Sequence, residues 1–240
     1  MGARDLLEAI GGLEGGTSGI VRRSWVCASC RQPAAEERKF CESCAEVEFL
    51  ERRRARLAAA WASLPARFRG VDSWRWPEPR RSSLREIYRD PGNCLLVGSP
   101  GVGKTAGACA VLARVLRAAE SKAATAEQVD DAARSRFVSV SALIRACAAH
   151  PLGGAEVPMF REAARAPLLV LDELGYDLGA PRHHDRDLVD ARYNSGGRTI
   201  FTTGHTQSTV EAAWGGGTGR RVWTESTLYE WAAMPTLEDS

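Results

Sequence analysis

No run of 18 consecutive apolar residues occurs in the 240-residue chain, so no membrane-spanning helix is expected. Residues 1–20 carry Asp5, Glu8 and Glu14 and no continuous apolar segment, a pattern that predicts no secretory leader and a cytoplasmic protein. No internal repeat is evident. Histidine is scarce, at four residues. His183 and His184, in a polar loop after Pro181, read as surface residues rather than metal ligands. Net charge is also small, at +2, but it is unevenly spread. Residues 47–89 hold 11 Lys/Arg against 5 Asp/Glu, while residues 1–46 hold 6 against 7 and residues 90–240 hold 15 against 18. A basic connector therefore joins two slightly acidic ends. It is either a solvated basic helix or a contact for nucleic-acid phosphates or an acidic partner.

The residues that are present carry a sharper signal. Gly98-Ser99-Pro100-Gly101-Val102-Gly103-Lys104-Thr105 forms a complete phosphate-binding loop. The apolar stretch Cys94 to Val97 before it reads as a buried strand, and the Ala- and Leu-rich stretch Gly107 to Ala119 after it reads as a helix. Strand, loop and helix are the context the motif requires. Glycines let successive backbone N–H groups turn toward a nucleotide's phosphates, at a helix N-terminus whose dipole favours anions. Lys104 would reach the β- and γ-phosphates, and the Thr105 hydroxyl would ligate Mg²⁺. Downstream, Leu168 to Leu171 is a short aliphatic run ending in Asp172 and Glu173. Such a run fits a central parallel strand covered on both faces, and ligands sit at the carboxyl ends of such strands. Asp172 would hold the Mg²⁺ shell through water, and Glu173 would polarise the attacking water.

The chain reads as four parts: a flexible arm at 1–24, with a short helix near Leu6 to Ile10, a zinc knuckle at 25–46, a basic helix and linker at 47–91, and an ATPase domain at 92–240. Cys27, Cys30, Cys41 and Cys44 form two C-x-x-C knuckles, a set suited to tetrahedral Zn²⁺. So short a segment cannot bury enough apolar surface to fold alone, and metal ligation would supply the stability. Two disulfides are the alternative, disfavoured in a cytosolic ATPase. In residues 47–63, Phe49, Leu50, Leu57 and Trp61 fall near one helical face, and Pro65 ends the helix. Arg67-Phe68-Arg69 and Trp74-Arg75-Trp76 interleave aromatics with arginines, either to stack on bases or to pack the connector onto the ATPase body. Cys94, Cys109 and Cys147 fall in apolar elements and read as buried thiols.

Strand and helix alternate after Gly92. Strands are expected at Phe137 to Val140 and Thr199 to Thr203, and helices at Ala142 to Ala149, Val157 to Ala164 and His184 to Tyr193, with a loop at His150 to Ala155. This alternation predicts an α/β domain of three layers around a parallel sheet.

The order zinc knuckle, basic helix, GSPGVGKT and then LLVLDELG resembles the AAA+ ATPases of the DnaC/DnaI helicase-loader group and their relatives, the IstB-like transposition ATPases. The likeness covers roughly residues 65–235 and rests most on Leu171 to Gly175, with Ala191-Arg192-Tyr193 and Arg198 to Thr203. It implies an ATPase using ATP and Mg²⁺ that loads a hexameric replicative helicase on single-stranded DNA, touches that helicase through its N-terminal region and self-assembles through its ATPase domain. The alternative it implies is a transposition or phage-replication helper that binds DNA and recruits a recombinase. Three departures from the group stand out. Thr202-Thr203-Gly204 lacks the Asn that would orient the attacking water, leaving Thr203 or His205 to take over. Gly219-Arg220-Arg221-Val222 resembles the arginine motif that reaches a neighbour's nucleotide, with Arg221 favoured as the finger. Little chain follows Trp231, so no full C-terminal lid is expected.

Overall fold

The computed structural model describes residues 26–34, 39–72, 75–151, 156–176, 178–179 and 183–232. The expected arm at 1–24 and Trp74 lie outside the described residues, as does part of the expected loop at His150 to Ala155. The chain divides into two compact units between Phe49 and Leu50. No helix among the described residues is long and apolar enough to cross a membrane.

The first unit is a knuckle leading into the first turns of α1 (Glu42–Ser63), whose remainder from Leu50 onward belongs to the second unit. Val26 bridges Pro33 in antiparallel fashion, and the Cys27 N–H donates to Gln32 O at 2.8 Å. Arg31 closes this turn with φ 63°, a left-handed conformation uncommon for a residue with a side chain. Helix α1 begins five residues before the expected stretch and takes in Cys44. Its buried residues are Leu57 and Ala60, while Phe49 is 42% exposed.

The second unit is built on five strands: β1 (Asn93–Val97), β2 (Arg136–Ser139), β3 (Leu168–Asp172), β4 (Arg198–Thr203) and β5 (Ser226–Glu230). All pair in parallel, in the order β2-β3-β4-β1-β5. The helices are α2 (Arg80–Arg89), α3 (Lys104–Glu120), α4 (Ala126–Arg134), α5 (Val140–Ala149), α6 (Pro158–Arg165), α7 (His184–Ser195), α8 (Gln207–Trp214) and α9 (Gly216–Thr224). Side chains alternate across the sheet because successive strand residues face opposite sides. Cys94, Leu96, Val170 and Ile200 pack with α2, α3 and α4, whereas Leu95, Leu169, Leu171 and Phe201 pack with α5, α7, α8 and α9. All five residues of β3 are buried, as expected of a strand covered on both faces. The three-layer α/β reading holds.

Local chemistry sets the boundaries. Helix α3 starts at Lys104, three residues before its apolar pattern, because Gly103 at φ 96° turns the loop directly into it. Val140 belongs to α5 rather than β2, because the Ser139 hydroxyl accepts the Ala142 N–H and caps the helix there. Helix α4 was not anticipated, yet it carries a complete capping box between Thr125 and Gln128. Helices α2, α8 and α9 and edge strand β5 were not anticipated either.

Most of the connector packs on the α/β body. Arg53 donates to the carbonyls of Ala119, Ser121 and Ala124 at the end of α3, where cations favour the helix dipole. The Trp61 indole donates to Glu120 at 2.8 Å, and Arg56 pairs with Asp130. Phe68 and Trp76 pack against the core. Of the two readings of the aromatic and arginine clusters, packing onto the body accounts for these residues. Cys94 and Cys109 are buried as expected, and Cys147 is half-buried.

Candidate functional site

Strand β1 delivers the glycine loop at the carboxyl edge of the sheet. Gly101 and Gly103 hold φ of 83° and 96°, conformations strained for any residue with a Cβ. Gly98 is required for a different reason. A Cβ there would lie 2.2 Å from the Trp231 carbonyl oxygen, because β1 hands its last carbonyl to the Trp231 N–H at 2.8 Å. Behind the loop, Trp76 lies 5.6 Å from Trp231 between ring centroids, and Arg80 sits over the Trp231 ring. Trp76 also reaches within 3.3 Å of where a Gly103 Cβ would stand. The loop therefore rests on an aromatic wall.

The Lys104 ammonium donates to Gly98 O at 2.6 Å and Ser99 O at 2.9 Å. Partial burial lowers its pKa, while the charges of Asp172 and Glu173 oppose that shift. The acids reach the loop through the strand order. Only β4 separates β3 from β1, so the carboxyl end of β3 lies one strand from the loop. Asp172 is 5% exposed, and burial raises its pKa against the Thr202 hydrogen bond and the fields of Lys104 and Arg67. The Thr202 hydroxyl donates to Asp172 Oδ1 at 2.7 Å and accepts the Glu173 N–H at 3.0 Å. Thr105 lies in the first turn of α3, directly after the loop, and Asp172 ends β3; both offer the hard oxygen ligands that the Mg²⁺ expected between them takes. Among Ser99, Pro100 and Val102, Val102 is buried in the core while the other two are part of the loop's outer turn.

Glu173 adopts φ 62° and is exposed. A non-glycine residue held in this region costs on the order of 1 kcal/mol and clusters at functional sites. Surrounding bonds hold it there. The Leu174 N–H donates to Thr202 O at 2.8 Å, and the Gly175 N–H donates to Asp185 Oδ2 at 3.0 Å. Thr203 is fully buried. Its hydroxyl donates to Leu174 O at 2.8 Å and accepts the His205 N–H at 3.1 Å. Its one proton is therefore committed to the Leu174 carbonyl in the acid turn. His205, half-buried, packs 3.0 Å from where a Gly175 Cβ would stand.

Sequence reasoning missed Asp185, which grips the Gly175 amide from the first turn of α7 with its pKa raised by burial. It also missed the use made of Arg192. That guanidinium is 2% exposed and donates to the carbonyls of Ala163, Ala164, Ala166 and Arg198 and to the Thr199 hydroxyl. Burial pushes its pKa down to about 10. Arg221 lies elsewhere, on α9, 3.1 Å from Asp190 and 4.6 Å from the Tyr193 ring centroid. Asp190 also accepts the Thr218 hydroxyl. Arg220 is exposed.

With this geometry in view, known structures give a consistent answer. The AMPPCP-bound DnaA from Aquifex aeolicus superposes with a TM-score of 0.52 at 16% identity, over 70% of this chain and 51% of that one. The two share an α/β fold around a parallel sheet. A replication initiator DnaA bound to AMPPCP and single-stranded DNA gives 0.51 at 14% identity over 70% and 50%. DnaI gives 0.50 at 16% identity over 74% of this chain and 93% of that one. The chain spans about half the length of the two DnaA structures. No family model and no curated protein sequence matches it.

The four knuckle sulfurs lie within 4.8 Å of one another, and Cys30 Sγ stands 3.6 Å from Cys41 Sγ. Tetrahedral zinc with Zn–S of about 2.3 Å has S···S edges of about 3.8 Å, so the set fits. The Cys30 amide is the largest influence lowering the Cys27 thiol to about 6, while hydrogen bonds with Cys30 and Cys41 raise that of Cys44, so the fit rests on the sulfur geometry. One Zn²⁺ per chain is expected by elemental analysis. Cys41→Ser is expected to release it and unfold the knuckle while ATP binding holds within about twofold, since the second unit has its own core. Full zinc content in that variant would count against this ligand set.

Proposed function

We propose that the chain is a Mg-ATP-driven switch of replication initiation that loads a hexameric helicase on single-stranded DNA. The observation that carries the ATPase part is the placement of Asp172 and Glu173 at the carboxyl end of β3, one strand from the phosphate loop, with Thr202 bonded to both and Glu173 held at φ 62°. The loop amides and Lys104 would bind the phosphates. Thr105 and Asp172 would hold Mg²⁺, which when bound supplies charge neutralisation on the phosphates. Glu173, exposed and fixed in direction, would take a proton from water, while Thr202, Thr203 and Asp185 hold its turn. The replication role is supported by the fold shared with DnaA and DnaI and by the resemblance of Leu171 to Gly175 to the helicase-loader group. A pull-down with the full chain tests it: capture of a hexameric helicase supports the loader, and capture of a transposase supports the IstB-like alternative instead.

In this reading Arg221 acts across a subunit interface. Asp190 and Tyr193 hold its guanidinium by one edge and one face while its side chain stays 42% exposed, which orients it before assembly. Arg221→Ala is expected to keep ATP affinity and lose assembly-stimulated turnover by about 10³-fold. Mixing Arg221→Ala with Lys104→Ala subunits should restore partial turnover, since one brings an intact loop and the other an intact finger. Recovery with Arg220→Ala but not Arg221→Ala subunits moves the finger to Arg220. No recovery in mixtures shown to co-assemble ends the assignment.

A further inference from the structure

Strand β4 lies between β1, which carries the phosphate loop, and β3, which carries the acid pair. Its carboxyl end therefore stands between the loop and Glu173. Four consecutive residues occupy that end. The Thr202 hydroxyl is taken up by Asp172 Oδ1 and the Glu173 N–H. The Thr203 hydroxyl is taken up by Leu174 O and the His205 N–H. Gly204 has no side chain, and a Cβ there would stand 3.8 Å from the carbonyl oxygen of Gly98, the first residue of the loop. His205 follows. Thr203 holds its main-chain N–H, and its ring carbon Cδ2 lies 3.0 Å from where a Gly175 Cβ would stand. The imidazole is half-buried and makes no hydrogen bond among the described residues. Backbone and ring are thus fixed at the edge where the loop and the acids meet, and both ring nitrogens stay without a partner there.

We propose that His205 donates a ring N–H to the terminal phosphate of bound ATP, and that the chain tells ATP from ADP by this bond. Asp172 and Glu173 both offer acceptors to that edge, so a phosphate end needs donors there besides Lys104. A hydrogen bond to an anionic oxygen is among the stronger ones, and imidazole carries an N–H whether neutral or protonated. ADP lacks the group that His205 would meet. In hydrolysis the water oxygen bonds to the γ-phosphorus and its proton passes to Glu173. The bond to the bridging oxygen breaks, and its electron pair leaves with ADP. The imidazole keeps its proton and holds the phosphate oxygen throughout. This rests on the ATP site of the reading above and adds the residue that reads the third phosphate.

The test is titration calorimetry of the full chain with Mg²⁺, comparing a non-hydrolysable ATP analogue with ADP, and steady-state turnover of ATP alongside. His205→Ala is expected to weaken the analogue about tenfold or more while ADP stays within about twofold, and to lower kcat about 10²-fold. His205→Phe keeps a ring against Gly175 without an N–H and should behave like His205→Ala. One of His205→Asn and His205→Gln, whose amide nitrogens stand in for Nδ1 and Nε2, should recover most of the loss. Thr206→Ala, the next residue, removes the hydroxyl that caps α8 and should leave the preference for the analogue over ADP unchanged. An unchanged preference in His205→Ala overturns the proposal. So does recovery in His205→Phe, no recovery in either amide variant, or an equal loss in Thr206→Ala. A parent chain that binds neither nucleotide ends the site reading and this proposal with it. A parent that binds and hydrolyses ATP, with His205→Ala unaffected, ends this proposal alone.

Discussion

Lys104→Ala is expected to lower ATP affinity by about 10²–10³-fold, roughly 3–4 kcal/mol, measured by titration calorimetry. The ammonium is the group placed to make charge-assisted hydrogen bonds to the phosphates. It is already led there by the carbonyls of Gly98 and Ser99, at 2.6 and 2.9 Å, and drawn by the fields of Asp172 and Glu173. Glu173→Gln should separate binding from chemistry. The amide keeps the size and the strained backbone of the acid but cannot accept water's proton, so affinity holds while turnover falls about 10²–10⁴-fold. The two variants read different halves of the site. If both hydrolyse ATP like the parent, the site assignment fails. If Glu173→Gln alone does, the base lies elsewhere, and His205, packed beside Gly175, is the side chain to examine.

Arg192→Ala should be the most damaging substitution outside the site, at about 3–5 kcal/mol of stability by chemical denaturation. Its fork satisfies four backbone carbonyls and one hydroxyl in an interior it occupies at 2% exposure. Truncation would leave these acceptors buried without donors and open a void. That loss is a large fraction of the 5–15 kcal/mol that holds an ordinary domain. Arg192→Lys keeps the charge but not the planar fork, and should cost about half as much. Gly197→Ala should mimic part of the defect, because a Cβ there would lie 2.7 Å from Arg192 Nη2 and 3.1 Å from Ala166 O. An Arg192→Ala protein as stable as the parent would show that water replaces the guanidinium.

Much of the candidate site was legible because its chemistry is local in sequence. The phosphate loop is eight consecutive residues, and its glycines announce the turns that Gly101 and Gly103 make. The acid pair closes an apolar run whose complete burial is as its composition suggests. The knuckles are spaced for one metal, and the sulfurs do converge. Short elements escaped notice for the converse reason. Helix α9 begins with glycines and β5 is a half-exposed edge strand, so neither shows an apolar period. Helix α4 did carry its capping box in plain view at Thr125 and Gln128. Phe49 was grouped on one face of α1 with Leu57, which is buried, yet it is 42% exposed, because helical periodicity says which residues share a face and not how deeply each is buried.

What the amino-acid sequence determined by itself is the inventory: a glycine loop with Lys104 and Thr105, the acids Asp172 and Glu173, four clustered cysteines and a βα alternation that admits a parallel three-layer sheet. Each follows from short-range rules of backbone freedom, ligand type and hydrophobic period. The tertiary structure alone decided how the parts are held. It set β4 between β3 and β1, so that Thr202 bonds Asp172 and the acids face the loop. It committed the Thr203 proton to Leu174 and brought Asp185 to the Gly175 amide. It turned the Arg192 charge inward onto carbonyls and stood Trp76 and Trp231 behind the glycines. These contacts join residues from separate strands and helices, and their partners are chosen by packing and by the need of every buried polar group for a hydrogen bond, which no local pattern encodes.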